Sequence, residues 1–392
     1  VTVNVASACD NLDCTGYTGT LTLSAGLTIY GNWKTVAGMT FTPGTQTVTF
    51  AATSSGKTIT SGGKSFYSVT WNGSGGEWTL QDNFTQTRTT AFTLGTLILN
   101  GKTYTDEFGQ TVTFGNGFTL NVGTGQIYTS WNGSFTIPTG ATVTVSTGSL
   151  IIFNFTVSGT GTFTVSGAAS IRCYGNVIIT SPNFNAGTST LNQFWNVSAT
   201  LSSTQPLYNY LVGLGGAIAV TLQSNLTVQN NFTIEYAAGL TRSFSAGSFT
   251  LTVGRNFANG DTFNAGTGTV IFNDATKTTT VTGSTTFNVL QITTPDKTVK
   301  FTSGTTTTCA SFIATGTAGH NVILTNVTGT STWALSDTTG TNQVYYCTIS
   351  YSAAAGGAAW LAYTTDGNVD GGGNTGWIFA PAGTDKMLLM FD

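Results

Sequence analysis

The ten residues Phe41-Thr-Pro-Gly-Thr-Gln-Thr-Val-Thr-Phe50 return almost unchanged as Phe263-Asn-Ala-Gly-Thr-Gly-Thr-Val-Ile-Phe272. With one residue inserted they return again as Phe184-Asn-Ala-Gly-Thr-Ser-Thr-Leu-Asn-Gln-Phe194. A matching strand-and-turn precedes each copy: Leu27-Thr-Ile-Tyr-Gly-Asn-Trp33, Ile171-Arg-Cys-Tyr-Gly-Asn-Val177 and Leu251-Thr-Val-Gly-Arg-Asn-Phe257. A related apolar box follows: Phe66-Tyr-Ser-Val69, Leu207-Tyr-Asn-Tyr210 and Phe287-Asn-Val-Leu290. Internal similarity of this kind marks a chain built by stacking one supersecondary unit. Function in such a chain belongs on the surface of the stack or at its ends.

Outward from these boxes, the local pattern is that of strands. Thr20-Leu-Thr-Leu23, Thr111-Val-Thr-Phe114, Thr142-Val-Thr-Val145 and Thr162-Phe-Thr-Val165 alternate apolar with small polar residues. That period puts one face in a core and one in water. Gly, Asn or Ser-Gly interrupts the strands every eight to ten residues, as short turns do. Helical spacing is almost absent.

Two architectures fit short strands at this spacing: tandem antiparallel β-sandwiches and a parallel β-solenoid. The boxes recur after 25, 23 and 24 residues, a plausible single coil, and no charged inter-domain linkers occur. The expected fold is therefore all-β, a right-handed parallel β-solenoid of about 16 coils of about 24 residues. Residues 20–332 form the repeat body. Residues 1–19 read as an N-terminal cap or attachment segment, 333–379 as a C-terminal cap, and 380–392 as a tail or docking peptide.

Hydrophobic residues make up 40% of the 392, enough for a core. Only 15 acidic and 12 basic residues are present, and between Glu107 and Glu235 the single charge is Arg172. Ordinary soluble domains carry about a quarter charged residues. With a net charge of −3 and no Lys/Arg cluster, the electrostatic footprint of a nucleic-acid binder is missing. No apolar run is long enough to span a bilayer, so membrane insertion is not expected.

Cys9 and Cys14 are close enough to close a small loop, and Cys309 and Cys347 would meet on neighbouring turns. One or two disulfides, or five buried thiols, both fit. With one histidine, His320, and no Cys-x-x-Cys pair, structural zinc is excluded. The glutamates Glu77, Glu107 and Glu235 are scattered, and adjacent Asp106 and Glu107 would point to opposite faces of a strand. No serine-nucleophile elbow or phosphate loop occurs, so catalysis is not expected. Asp366-Gly-Asn-Val-Asp-Gly371 matches the opening of a calcium loop, with Asp366, Asn368 and Asp370 as ligands; its twelfth position is Trp377, not Glu. A tight turn without metal is the alternative, and no other cofactor is expected. Trp71, Trp78, Trp131 and Trp195 stand beside Gly or Asn near turns. They are candidates for stacking on sugar rings, against the commoner role of packing at a coil corner.

The repeat boxes resemble the degenerate repeats of bacterial surface adhesins and of phage virion proteins with parallel β-helix bodies. Cys347-Thr-Ile-Ser-Tyr351, Gly356-Gly-Ala-Ala-Trp360 and Asp370-Gly-Gly-Gly-Asn-Thr-Gly-Trp-Ile-Phe379 are similar to the closing segment of many such proteins, especially in phages. The resemblance implies a structural or adhesive extracellular role: a virion appendage such as a tail or head fibre, or a cell-surface adhesin or filament subunit. A polysaccharide-degrading β-helix enzyme is the contrasting reading, but no catalytic motif of that kind is present. Partners implied are other virion or surface-assembly proteins, a cell-surface glycan and further copies of the chain.

Overall fold

A computed structural model describes residues 1–380 apart from 108, 110, 130–132 and 196, with the side chain of 197 also outside the description. The chain is 54% strand and forms a parallel β-solenoid of about 18 turns. It divides into two compact units, 1–208 and 209 onwards.

In the first unit one sheet runs through Ser7–Cys9, Leu27–Ile29, Thr47–Phe50, Ser68–Leu80, Thr90–Ile98, Phe118–Gly123, Thr142–Val145, Thr162–Val165 and Phe184–Asn185. A second takes Phe84–Gln86, Thr103–Asp106, Gln126–Thr129, Ser149–Ile152, Ser170–Cys173 and Thr190–Gln193. A third takes Val112–Thr113, Ser134–Ile137, Asn154–Val157, Val177–Ile179 and Val197–Ser203. The second unit repeats the plan. One of its sheets runs Leu226–Val228, Thr250–Val253, Thr269–Phe272, Thr285–Ile292, Thr306–Ala314, Trp333–Ser336 and Ser352–Ala355. Strand partners are parallel throughout, which rules out antiparallel sandwiches.

Alternation becomes layering. Thr142–Val145, Ser149–Ile152, Asn154–Val157 and Thr162–Val165 each bury every second residue. Parallel register then stacks like on like: Val143 on Phe163 on Phe184, and Leu150 on Ile171 on Leu191. Each such side chain removed from water contributes roughly 1.5–3 kcal/mol. Leu251, Val270, Leu290 and Phe312 make the matching column in the second unit.

The rung is shorter than expected. Leu27 lies opposite Val48 and Val48 opposite Val69, steps of 21 residues, and Val143 lies opposite Phe163, a step of 20. The boxes mislead because their members are not register partners. Phe263 pairs in register with Phe244, whereas Phe287, 24 residues on, lies in another sheet. Their rings nevertheless touch, with centroids 5.7 Å apart, as do Phe41 and Phe66 at 5.5 Å. Box spacing therefore measures one coil plus a step round a corner.

The repeated Gly-Asn has a structural reason. Asn32 Oδ1 accepts the Thr58 N–H (2.8 Å), Asn176 Oδ1 the Thr200 N–H (2.8 Å) and Asn256 Oδ1 the Thr280 N–H (3.1 Å). At each corner an amide satisfies a backbone donor one coil on, where a strand gap would leave it open. Gly31 and Gly175 pack against the amides of Asn11 and Asn154 from the coil before, where a Cβ would collide.

Both terminal segments pair like the body. Thr2–Val3, Ser7–Cys9 and Leu12–Asp13 lie in register with later strands. Thr341–Gln343, Ala359–Leu361 and Trp377–Ile378 form a small parallel sheet. Within 380–392 only residue 380 is described, so the apolar Met387–Phe391 peptide lies outside the described residues.

Candidate functional site

Among the described residues the acids do not converge. Glu235 Oε2 accepts from Arg242 Nη1 (2.7 Å) and from the Leu214 N–H (2.8 Å), closing a corner. Asp274 pairs with Lys277 at 3.0 Å, and Asp82 accepts the Ser61 and Gly62 N–H groups. Asp337 accepts from Asn342 Nδ2 at 2.9 Å. Among the described residues no three His, Cys, Asp or Glu side chains come together. His320, without a sequence partner, meets Asp296 one coil away at 2.9 Å, both well exposed.

The calcium expectation is corrected by the hydrogen bonds. Asn368 is 4% exposed: its Oδ1 accepts the Cys347 N–H (2.9 Å), and its Nδ2 donates to Val344 O (2.9 Å) and Tyr363 O (3.0 Å). Turning it toward a cation would orphan three buried backbone groups, each costing about 1–3 kcal/mol. Asp366 accepts from Gln343 Nε2 (2.9 Å), and Asp370 accepts the Gly372 N–H (2.9 Å) and Asn374 Nδ2 (2.7 Å). The motif is a tight turn that ties two coils.

Of the two readings of the cysteines, the structure has the free thiols: all five are free, with Cys173, Cys309 and Cys347 buried. Cys309 sits in Thr306–Ala314 and Cys347 in Cys347–Ile349, strands of different sheets, so neighbouring coils present them on different walls. Burial pushes the thiols of Cys173, Cys309 and Cys347 up to about 12. Cys9 and Cys14 are half-buried, and desolvation raises both.

Of the tryptophans, Trp71 and Trp78 are 0% exposed and cannot reach a sugar; they pack edge to face with centroids 5.3 Å apart. Both are inward positions of a long strand whose two ends pair with different neighbours, which turn signals in the sequence concealed. Trp131 lies outside the described residues. Trp195 is 39% exposed. It holds φ at +88°, a left-handed backbone that costs a non-glycine residue of order 1 kcal/mol or more.

Around Trp195 the surface changes character. On another sheet of the same unit, outward positions form columns of small polar residues: Thr119, Thr142 and Thr162; or Asn121, Thr144, Thr164 and Asn185. On the second sheet of the first unit, Gln126, Ser149, Ser170 and Thr190 continue that style. Two residues along, the column reads Tyr128, Ile151, Arg172. Phe153 and Tyr174 stand beyond it on adjacent rungs, joined by the Gly175 N–H to Phe153 O bond at 2.6 Å. Tyr174 meets Trp195 edge-on at 6.1 Å and Phe194 at 4.4 Å. Tyr128, Ile151, Phe153 and Tyr174 are half-buried; Arg172 and Trp195 are exposed. Desolvation and Tyr128 raise the Tyr174 phenol pKa while Arg172 lowers it, so the three groups lie within electrostatic reach.

An open groove of about 370 Å³ in the second unit is lined by the buried Phe263 and Phe287 and by Asn264, Thr286, Asn288 and Ala310 nearer the surface. Part of that lining is already engaged, Asn288 Nδ2 donating to Gly268 O at 3.3 Å. Comparison with protein-family models, curated proteins and solved structures finds no match to this chain.

Proposed function

We propose that this chain is a non-catalytic structural and adhesive scaffold working outside the cell, in a virion appendage such as a tail or head fibre. What supports the reading is how the sheet faces are clothed. Columns of Thr and Asn cover outward positions of the first unit's longest sheet, while Glu235 and Asp337 are engaged in holding a corner and a neighbouring strand. A low-charge hydroxyl surface suits a particle that meets many solutes without adsorbing to them, and function then rests on local departures from that surface. The closing segment's likeness to phage proteins favours a virion over a bacterial adhesin, which would share the fold and the surface.

The purified chain is expected to bind immobilised bacterial capsule or lipopolysaccharide without releasing sugar. Release of oligosaccharides that stops when an acid is changed to its amide would establish a hydrolase or lyase instead.

A further inference from the structure

We propose that Tyr128, Ile151, Phe153, Arg172, Tyr174 and Trp195 form a binding site for an acidic polysaccharide; the inference rests on the adhesive reading above and names its ligand class. Tyr128, Ile151 and Arg172 share the outward side of one parallel sheet within the first unit, and Phe153, Tyr174 and Trp195 follow just past the ends of its strands. Apolar side chains collected on an otherwise hydroxyl-covered face mark a contact surface, since isolated exposed apolar residues need no partner but a contiguous group does.

Three features choose the occupant. Rings standing at the surface offer flat faces to the C–H sides of sugars, and Trp195 is held there at the expense of a strained backbone. Arg172 is the one charge between Glu107 and Glu235 and forms no ion pair among the described residues, so a carboxylate brought by the ligand completes it with a bidentate, charge-assisted contact. The adjacent Gln126, Ser149, Ser170 and Thr190 column repeats donors and acceptors at the strand spacing of about 4.8 Å. Within it Gln126 Nε2 donates to Ser149 Oγ at 3.0 Å, and a polymer with repeating hydroxyls can bond to the lone pairs and protons that such contacts leave over. A protein strand would instead need backbone edges to pair with, which a sheet face does not offer.

Calorimetric titration of the whole chain with hyaluronate and polygalacturonate, against neutral dextran, tests the assignment. Both uronate polymers are expected to bind at least tenfold more tightly than dextran, and added NaCl should weaken them. Arg172→Gln should cost about tenfold against the uronates and leave dextran unchanged; Trp195→Ala should weaken all three. Thr142→Val, on another sheet, should alter none. Equal affinity for dextran and the uronates, no binding of either uronate, or undiminished binding by Arg172→Gln overturns the proposal. So does a self-association abolished by Trp195→Ala without polymer binding, which would assign the patch to a second copy. If the chain adheres to capsule or lipopolysaccharide while both patch variants adhere undiminished, the patch assignment alone fails. If sugar is released, the non-catalytic reading fails.

Discussion

The two units offer contrasting stretches of interior, one built on rings and one on buried polar groups, although each unit contains both. From Trp33 to Phe135 the first unit carries a nearly continuous train of rings: Trp33 to Phe66 at 5.1 Å, Phe66 to Phe84 at 4.6 Å, Phe84 to Tyr104 at 5.2 Å, and Phe114 to Phe135 at 5.1 Å. The first unit also has a buried amide of its own in Gln193, whose Nε2 donates to Gly175 O at 2.8 Å. In the second unit, past a ring train from Tyr210 to Phe287, buried polar groups stand among further rings such as Phe301 and Trp333 at 4.0 Å. Lys297 is fully buried, and its Nζ donates to Gly254 O (3.1 Å), Asp274 O (2.8 Å) and Lys277 O (2.7 Å). Asn342 gives its Nδ2 to Asp337 and takes the Phe312 N–H on its Oδ1. Rings attract without strict direction, so they fill space and tolerate small shifts of one coil on the next. Buried donors and acceptors must be met, so they fix which residue faces which.

The largest effect should follow from removing a ring. Trp71→Ala deletes a fully buried side chain stacked on Phe50 at 4.5 Å and is expected to cost about 3–5 kcal/mol. Thermal unfolding should show a fall in Tm of roughly 10 °C. A loss under 1 kcal/mol would mean that the ring train is loosely packed and that the contrast between the units is false.

Next in size is Lys297→Met, which keeps the volume and strands three carbonyl oxygens, for about 2–3 kcal/mol by denaturant titration. It also carries a pH signature. Burial pushes the ammonium pKa from 10.5 down to about 8, with Asp274 opposing that shift. Between those values the unfolded chain binds the extra proton, so stability rises as pH climbs from 8 toward 10.5 and is lost as pH falls through 8, by at most about 3 kcal/mol. The buried thiols slope the other way above pH 9, but equally in both proteins. The difference between the parent and Lys297→Met therefore isolates the lysine, and a difference that stays flat with pH would show that the three carbonyls hold the ammonium charged.

The comparison also bears on what the sequence could disclose. Period-two alternation disclosed the strands, because burying every second residue is a local property. The choice of a parallel stack rested on the recurring boxes, the absence of charged linkers and the Thr, Ser and Asn of the outward positions. The coil length was overestimated, because Phe263 and Phe287 touch across a corner without sharing a register. Trp71 and Trp78 looked like turn residues because Gly73, Gly75 and Gly76 lie between them; these glycines sit inside one strand, at a register shift. The patch was half legible. Trp195 and the isolation of Arg172 could be read directly, but Tyr128, Ile151 and Arg172 fall in one column only through pairings 23 and 21 residues apart. Asn368 had the residue type of a ligand, and only its three hydrogen-bond partners show that its amide is already used.

A corner amide should matter less than a core group in either unit. Asn176→Ala removes the acceptor for the Thr200 N–H and Oγ1 and is expected to cost about 1 kcal/mol, as an ordinary side-chain to backbone bond does. Asn256→Ala in the second unit removes the equivalent bond to Thr280 and should cost the same. If the two losses, measured in parallel denaturant titrations, differ by more than 1 kcal/mol, corner closure is not a shared device and the repeat boxes are alike only in sequence.

The smallest effect expected is at the outward columns, and it decides what they are for. Thr142 stands between Thr119 and Thr162 with its hydroxyl side outward. Val has the same shape and strand preference, so Thr142→Val should change stability by less than about 0.5 kcal/mol. A loss above 1 kcal/mol would make the column a hydrogen-bonded ladder that holds the coils, in the manner of the buried amides of the second unit. Near-neutrality means that folding leaves these hydroxyls unconstrained. The Thr-rich clothing then answers to the surrounding solution rather than to folding, and the ring-and-arginine patch is a local departure from it.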